Sequence, residues 1–406
     1  MWTGSKKIVL LLLMIFLMGC APVETPETPV ETQDPPPENE EAQETTEAPE
    51  TEEVPETTEP IEETTEPEEE IKEPEKSEAE MLLETMTVEE KIHQLFVIGT
   101  EGLEPSEFLL EKVSKGIGGV IFFDRNIESK DQFLAFTSTL REHEGDIPLL
   151  LSTDEEGGRV QRLRNVAEPV GPALDVIEET AFSYGEILGK NLNTFGLDTG
   201  YSPVLDIYSN PENTVIGDRA LSRTAEGVLT FLSKVLDGFR SQNILTVGKH
   251  CPGHGDTLED SHEVLPVLTK TKEELEALEL IPFKAAIEEK IDMIMVGHLL
   301  VTSLDESYPA SLSRPVIQEL LRDELGFNGV VITDDLTMKA ITDNYGIRDV
   351  LEQYLLAGGD LILVCHGDEV ISEYIETLKV LVDEGVITED LLDEKVKRIL
   401  DMKLSR

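Results

Sequence analysis

Apolar residues recur along most of this chain in short runs that predict buried strands separated by helices. Eight such runs lie after residue 80, at positions 95–98, 119–123, 149–152, 198–204, 244–247, 293–296, 330–333 and 360–364. The segments between them, for example 271–289 and 315–325, place apolar residues at helical spacing. Strands that alternate with helices are typical of parallel βαβ units.

Eight such units within residues 81–406 favour an α/β fold, and the predicted architecture is a single (β/α)8 TIM-type barrel. An open, doubly wound parallel sheet is the alternative. In a barrel, the active site is built from the loops that follow the carboxyl ends of the strands. Five consecutive predicted strands are followed by polar residues, namely Asp154, Asp206, Lys249 with His250, His298 and Asp334.

The first 20 residues have a different pattern. Two lysines precede an apolar run at 8–18, which is too short to span a bilayer comfortably and has the layout of a secretory signal peptide. Leu17-Met18-Gly19-Cys20 resembles a bacterial lipobox, and this resemblance implies that cleavage leaves a lipidated Cys20 as the first residue. A signal cleaved elsewhere, or an uncleaved anchor, is the alternative.

Residues 21–80 contain 24 acidic residues, 11 of the 22 prolines and two lysines. Such a segment cannot bury enough apolar surface to offset its ordering entropy, so it predicts a disordered, self-repelling tether. At roughly 3.1 Å per residue it could extend on the order of 180 Å. We therefore expect an extracytoplasmic lipoprotein whose globular domain is held away from the membrane by this tether. An acidic tail that binds a basic partner is the alternative.

The charge and cysteine content exclude some classes of protein. The formal net charge is −51, and residues 81–406 alone still carry about −31, which makes nucleic acid an unsuitable partner. Besides Cys20 the chain has only Cys251 and Cys365, so no disulfide framework is implied. We expect a monomer.

The segment 249–266 concentrates three of the seven histidines in one glycine-containing loop directly after an apolar run. Asp260, two residues before His262, could hold one imidazole nitrogen and raise the basicity of the other, which suits a general acid/base. A surface histidine in a local turn is one alternative. A zinc site formed by His250, His254 and His262 with an aspartate is another, although Lys249 beside the ligands argues against a metal.

Two aspartates, Asp334 and Asp335, follow the predicted strand 330–333. A carboxylate at that place could attack an anomeric carbon. Metal ligation or helix capping is equally compatible with two aspartates after a strand.

Four motifs occur in order between residue 80 and the C-terminus: Asp154-Glu155-Glu156-Gly157-Gly158-Arg159-Val160, Ile216-Gly217-Asp218-Arg219-Ala220, residues 249–257 with Asp260-Ser261-His262, and Thr333-Asp334-Asp335-Leu336. Together they resemble the glycoside hydrolase family three β-N-acetylhexosaminidases. The resemblance implies that Asp334 is a nucleophile, that His262 is the acid/base and that Asp260 is its partner. It also implies that the sugar is held by four residues, Asp154, Arg219, Lys249 and His250.

Other residues near these motifs are expected to support the site. We expect Arg159 and Arg162 to be structural, whereas His298 could equally line the pocket or support it. Cys251 stands where the family usually has an aromatic residue. Some relatives carry a second α/β domain after the barrel, and this sequence ends at Arg406, soon after the eighth predicted helix, which we interpret as the single-domain form.

The resemblance implies a retaining exo-β-N-acetylglucosaminidase that acts on peptidoglycan fragments or muropeptides through a covalent glycosyl-enzyme intermediate. No metal or organic cofactor is expected. Three alternatives remain at this point: a phosphorylase of the same substrates, a β-glucosidase, and a non-catalytic cell-wall-binding lipoprotein.

Overall fold

Parallel strands form the centre of the part of the chain that the computed structural model describes, residues 76–257 and 259–405. The strands are β1 (Phe96–Gly99), β2 (Gly119–Phe122), β3 (Leu150–Thr153), β4 (Glu155–Gly157), β5 (Val160–Gln161), β6 (Val247–Cys251), β7 (Val267–Leu268), β8 (Met293–Val296), β9 (Leu300–Val301), β10 (Val330–Thr333) and β11 (Ile362–Val364). The predicted signal peptide, the lipidated Cys20 and the tether up to residue 75 lie outside these described residues.

Two parallel sheets hold the longer strands. One has the order β11-β1-β2-β3 and the other β10-β8-β6. Single parallel bridges connect β3 with the segment around 199, that segment with Leu245, and β10 with Leu361. The α/β class with parallel strands is therefore confirmed.

The helices follow or precede the strands along the chain. They are α1 (Glu78–Thr85), α2 (Val88–Gln94), α3 (Glu107–Ser114), α4 (Lys130–His143), α5 (Ala181–Thr194), α6 (Ala225–Ser241), α7 (Lys272–Ala277), α8 (Leu280–Glu288), α9 (Lys339–Thr342), α10 (Ile347–Leu356), α11 (Asp368–Asp383) and α12 (Glu389–Leu404). A π-helix spans Pro315–Glu324, and short 3-10 turns lie at Asp124–Asn126, Ala173–Asp175, Gly217–Arg219 and Ala310–Leu312. Between residues 76 and 405, leaving out position 258, no helix has the length and apolarity to cross a membrane.

The segment 271–289, which has apolar residues at helical spacing, is helical in the structure but is divided into α7 and α8. Pro282 has no N–H for the carbonyl of Leu278 four residues earlier, and its ring crowds that carbonyl. Leu278 accordingly leaves the helical region, with φ −141° and ψ −71°.

Two of the eight predicted strands differ from those in the structure. The run 198–204 forms only single bridges at Thr199 and Val204, because Tyr201 adopts a φ of +44° and Pro203 has no N–H to donate to a neighbouring strand. The predicted strand 244–247 begins three residues too early. In the structure β6 begins at Val247 and includes Lys249 and His250, which the sequence predicts to follow the strand.

The irregularity of β6 has a consequence for the site. Successive side chains of a regular strand point to opposite faces. In β6 the register against β8 shifts between Gly248 and Cys251, as at a β-bulge. Both side chains consequently line the same pocket, which two consecutive residues of an ideal strand could not do.

Candidate active site

A cavity of about 190 Å³ lies at the carboxyl ends of the parallel strands. Six of the seven residues predicted to bind or convert a ligand line it: Asp154, Arg219, Lys249, His250, His262 and Asp334. The seventh, Asp260, reaches the cavity through His262. Side chains from widely separated parts of the sequence thus converge on one pocket.

The first wall is built by Asp154, which follows β3, and by Glu156, which lies in β4. Lys249 Nζ lies between them, 3.1 Å from Asp154 Oδ1 and 2.6 Å from Glu156 Oε1. Arg219 donates to the same Glu156 carboxylate through Nε at 2.7 Å and Nη2 at 2.9 Å. Burial alone would raise the pKa of Glu156, but the charges of Arg219 and Lys249 hold it well below its usual range. Glu156 is therefore ionised and pairs with two cations, one of which, Lys249, also pairs with Asp154.

Glu156 was not among the predicted site residues. The signal that could have found it is its spacing, because residues two apart in an extended segment share a face, and Asp154 was already placed at the pocket. Its partner Glu155 faces the other way: it is fully buried and accepts from the Gln161 amide at 2.9 Å, the Leu163 N–H at 3.1 Å and the Asn191 amide at 3.3 Å.

His250 is oriented by Asp206, which follows Val204 and is fully buried. The Asp206 carboxylate accepts from His250 Nδ1–H at 2.7 Å and from the backbone N–H of His254 at 2.7 Å. Burial opposes ionisation of Asp206, yet His250 and His254 lower its pKa overall. With Nδ1 as donor, His250 presents Nε2 as a hydrogen-bond acceptor.

The acid/base candidate is the most exposed residue of the site. His262 Nδ1 lies 2.8 Å from Asp260 Oδ1, and the same oxygen accepts the backbone N–H of His262 at 2.9 Å. The side chains of His262 and Asp260 are 69% and 45% exposed. Asp260 thereby fixes Nδ1 as the donor and leaves Nε2 free to exchange a proton at the pocket mouth.

The two adjacent aspartates have different surroundings. Asp335 accepts three hydrogen bonds that build its loop, from the Thr337 N–H at 2.9 Å, the Thr337 hydroxyl at 2.6 Å and the Cys365 N–H at 3.0 Å. Asp334 Oδ1 accepts the N–H of Asp335 at 2.8 Å, and its carboxylate lines the pocket. Burial by itself raises the pKa of Asp334, but His298, His250 and the Asp335 N–H together lower it to about 2. Asp334 is thus an ionised carboxylate available to a ligand, whereas Asp335 is committed to the loop.

His298 supports the pocket and does not line it. It is fully buried, and both ring nitrogens are engaged: Nδ1 pairs with the Ser311 hydroxyl at 2.7 Å and Nε2–H donates to the Asp335 carbonyl at 3.0 Å. Burial lowers the pKa of His298, although the charge of Asp334 opposes the shift. The sequence left two positions open for His298, lining the pocket or supporting it, and the structure favours the second.

Arg159 and Arg162 differ in their positions. Arg159 pairs with Asp218 and donates to the carbonyls of residues 214–216, so it shapes the turn that carries Arg219. Arg162 lines the pocket with its guanidinium 3.5 Å from Asp154 Oδ2 and 3.1 Å from Asp124 Oδ2. The expected structural role fits Arg159, and Arg162 is also able to contact a ligand.

The three histidines of the zinc alternative have separate partners. His250 faces Asp206 and His262 faces Asp260, while His254 is buried with Nδ1 2.5 Å from the Thr257 hydroxyl and Nε2 3.4 Å from that of Ser261. Within the described residues, no group of three or more His, Cys, Asp or Glu side chains is arranged to hold a metal ion.

Comparison with known proteins gives consistent results. Residues 87–402 match the family described as the glycosyl hydrolase family 3 N terminal domain. A Beta-hexosaminidase of Tolumonas auensis is 37% identical over 257 residues, which are 62% of this chain and 76% of that protein.

Two solved structures are also similar. A glycoside hydrolase family 3 beta-N-acetylglucosaminidase from a Paenibacillus species has a TM-score of 0.75 and 39% identity over 79% of this chain, but the match spans only 62% of that protein's chain. A Beta-N-acetylhexosaminidase from Beutenbergia cavernae has a TM-score of 0.73 and 26% identity over 78% of this chain and 98% of its own.

Proposed function

The chain belongs to glycosyl hydrolase family 3, and from this membership and the pocket's geometry we propose that it is a retaining exo-β-N-acetylglucosaminidase. The observation that carries the proposal is the pairing of an ionised, pocket-lining Asp334 with a solvent-accessible His262 that Asp260 orients. Binding alone would need neither group. The name of the similar protein from Tolumonas supports an amino sugar as substrate, and the names of those from Paenibacillus and Beutenbergia support an N-acetylated one.

In this proposal the charged and polar side chains of the pocket wall bind the sugar. Lys249 and Arg162 can donate to hydroxyl oxygens, while Asp154 and the Nε2 atom of His250 can accept from them. The buried pair of Glu156 and Lys249 lines the cavity. We infer that this pair closes the inner end of the cavity, so that a glycan chain could not pass through it. This favours capture of one terminal sugar, that is, exo action.

The reaction proceeds in two steps. In the first, Asp334 Oδ bonds to the anomeric carbon while the bond from that carbon to the leaving oxygen breaks, and His262 Nε2–H transfers its proton to that oxygen. In the second, neutral His262 removes a proton from water, whose oxygen bonds to the anomeric carbon as the Asp334 ester bond breaks. Each step inverts the anomeric centre, so the configuration is retained. The low pKa of Asp334, about 2, keeps the nucleophile ionised before it attacks.

The architecture that supports this site is, in our proposal, a closed (β/α)8 barrel spanning residues 81–406. The isolated bridges support it, because Thr199 bridges to β3 and to Leu245, and Leu361 bridges to β10 just before β11. These contacts would join the two parallel sheets at both edges.

We further propose that the protein is a membrane-anchored, extracytoplasmic lipoprotein that acts as a monomer on muropeptides or other peptidoglycan fragments. The lipobox-like residues 17–20 and the acidic segment 21–80 support this location. Incorporation of a labelled fatty acid into the parent but not into Cys20→Ser tests the anchor. Labelling of both proteins would remove Cys20 as the lipidated residue.

The activity is tested with an aryl N-acetyl-β-glucosaminide and the corresponding aryl β-glucoside. Preferential release of aglycone from the first supports the proposal, and preference for the second would make the protein a β-glucosidase. A fluorinated amino-sugar analogue should label the peptide that contains Asp334. Product analysis with and without inorganic phosphate separates hydrolysis from phosphorolysis, because only a phosphorylase would form the sugar 1-phosphate.

A further inference from the structure

Three charged residues connect the two ends of the loop that carries His262. Asp256 lies at the start of the loop and Lys270 at its end, and Lys270 Nζ is 2.9 Å from Asp256 Oδ2. Lys270 also pairs with Glu279, which precedes α8 and is 3% exposed. We call Asp256, Lys270 and Glu279 the loop clamp. It joins both stems of the loop to a helix of the scaffold.

The tip of the same loop is held more weakly. Its contacts with the surrounding protein include an N–H from Ala340 to the Ser261 carbonyl and a pairing of His254 Nε2 with the Ser261 hydroxyl, both at 3.4 Å. His262 itself remains largely exposed. The position of His262 relative to Asp334 therefore depends mainly on how the stems are fixed.

The stems are fixed on two sides. At the end of the loop, β7 pairs with β9, and Leu300 N–H donates to the Pro266 carbonyl at 2.9 Å. At its start, Gly253 lies so close to Glu279 that a Cβ there would come within 2.8 Å of the Glu279 Cβ. Glu279 thus packs against the start of the loop while its carboxylate pairs with the end. Burial disfavours the charge on Lys270, but Glu279 and Asp256 raise its pKa overall, so Lys270 is charged at neutral pH.

We propose that Lys270 is a positioning residue for proton transfer: by joining Asp256 to Glu279 it sets the distance from His262 to the glycosidic oxygen. The inference rests on the proposed function, in which His262 is the acid/base. Loss of Lys270 would leave the buried Glu279 without its cation and would set two carboxylates against each other. The loop stems would separate, while Asp334 and the sugar-binding wall, which the clamp does not contact, would stay in place.

The test compares the full-length protein with Lys270→Met and Lys270→Arg on aryl N-acetyl-β-glucosaminides that have a good or a poor leaving group. A poor leaving group needs the proton from His262, and a good one departs largely without it. We expect Lys270→Met to lower kcat/KM for the poor leaving group about tenfold or more, part of the roughly 10²- to 10⁴-fold that general acid catalysis supplies. The good leaving group should be affected far less, and Lys270→Arg should restore the parent's ratio.

His262→Ala in the same assay separates the two hypotheses. If His262→Ala shows no dependence on the leaving group, the proposed acid is wrong. If it does and Lys270→Met slows both substrates equally, or neither, the positioning role of Lys270 is wrong. Should Lys270→Met not fold, Asp256→Asn keeps the buried Lys270–Glu279 pair and is expected to show the same selective loss to a smaller extent. An unchanged ratio in Asp256→Asn would then overturn the inference.

Discussion

Lys249 Nζ lies 2.6 Å from Glu156 Oε1 in a part of the pocket wall where the Glu156 side chain is only 2% exposed. The same carboxylate binds two nitrogens of Arg219. One buried acid therefore sets the positions of two cations that were predicted to hold the sugar, although it was not itself a predicted site residue.

Replacement Glu156→Gln should be strongly destabilising. Breaking a buried ion pair by removing one partner costs about 3–5 kcal/mol, because the remaining charge is left uncompensated. Here Arg219 loses the carboxylate that it pairs with, and Lys249 keeps only Asp154. The free energy of unfolding in urea measures the loss. Glu155→Gln is the matched control, since it changes the neighbouring carboxylate, which faces no cation at hydrogen-bond distance. Equal losses in both variants at pH 5 would contradict the assigned role of Glu156.

Much of the fold followed from the apolar pattern. Six of the eight predicted runs agree with strands to within two residues, because strands buried on both faces are read as continuous apolar runs. The two failures have local causes. Tyr201 and Pro203 interrupt regular pairing, and β6 extends into Lys249 and His250, whose polarity disguises a strand.

Contacts between site residues that are close in the sequence could be predicted. Contacts between residues that are distant in the sequence were harder to predict. Asp260 and His262 lie two residues apart, so their contact could be inferred from spacing. The contact between Glu156 and Lys249 joins residues 93 positions apart, and no local pattern encodes it. The same holds for Lys270 and Glu279, which are nine residues apart, one before α7 and the other between α7 and α8.

Asp334 and Asp335 should respond differently to mutation. Asp334→Ala removes the proposed nucleophile and should abolish turnover, whereas Asp335→Asn weakens the hydrogen bonds that hold Thr337 and Cys365 and should mainly lower stability. Steady-state kinetics and thermal unfolding of both variants check this. Activity of Asp334→Ala within about tenfold of the parent, far from the loss expected for a covalent nucleophile, would move the role to another residue.

The contact between His262 and Asp260 predicts that replacing His262 lowers turnover more than replacing Asp260 does. His262→Ala should slow turnover roughly 10²- to 10⁴-fold, and less in the first step for substrates with good leaving groups. Asp260→Ala keeps the imidazole but frees its orientation, so a smaller loss of the same kind is expected. Pre-steady-state release of aglycone reports the first step separately from the second. A larger loss in Asp260→Ala than in His262→Ala would show that Asp260 does more than orient the ring.

Glu155 should make folding stability depend on pH. Burial raises its pKa to about 7, although the Gln161, Leu163 and Asn191 donors partly oppose the shift. In the unfolded chain a glutamate ionises near pH 4.5, so between about pH 4.5 and 7 the unfolded state loses its proton first. The stability contribution of protonated Glu155 is therefore complete below pH 4.5 and is lost as the pH rises through 7, by about 3 kcal/mol at most.

Glu155→Gln removes this titration. Urea unfolding at pH 5 and pH 8 should show that the variant loses less stability than the parent across the interval, by up to that amount. If both proteins change equally, Glu155 is ionised in the native state at both pH values, and its three donors outweigh the cost of burial.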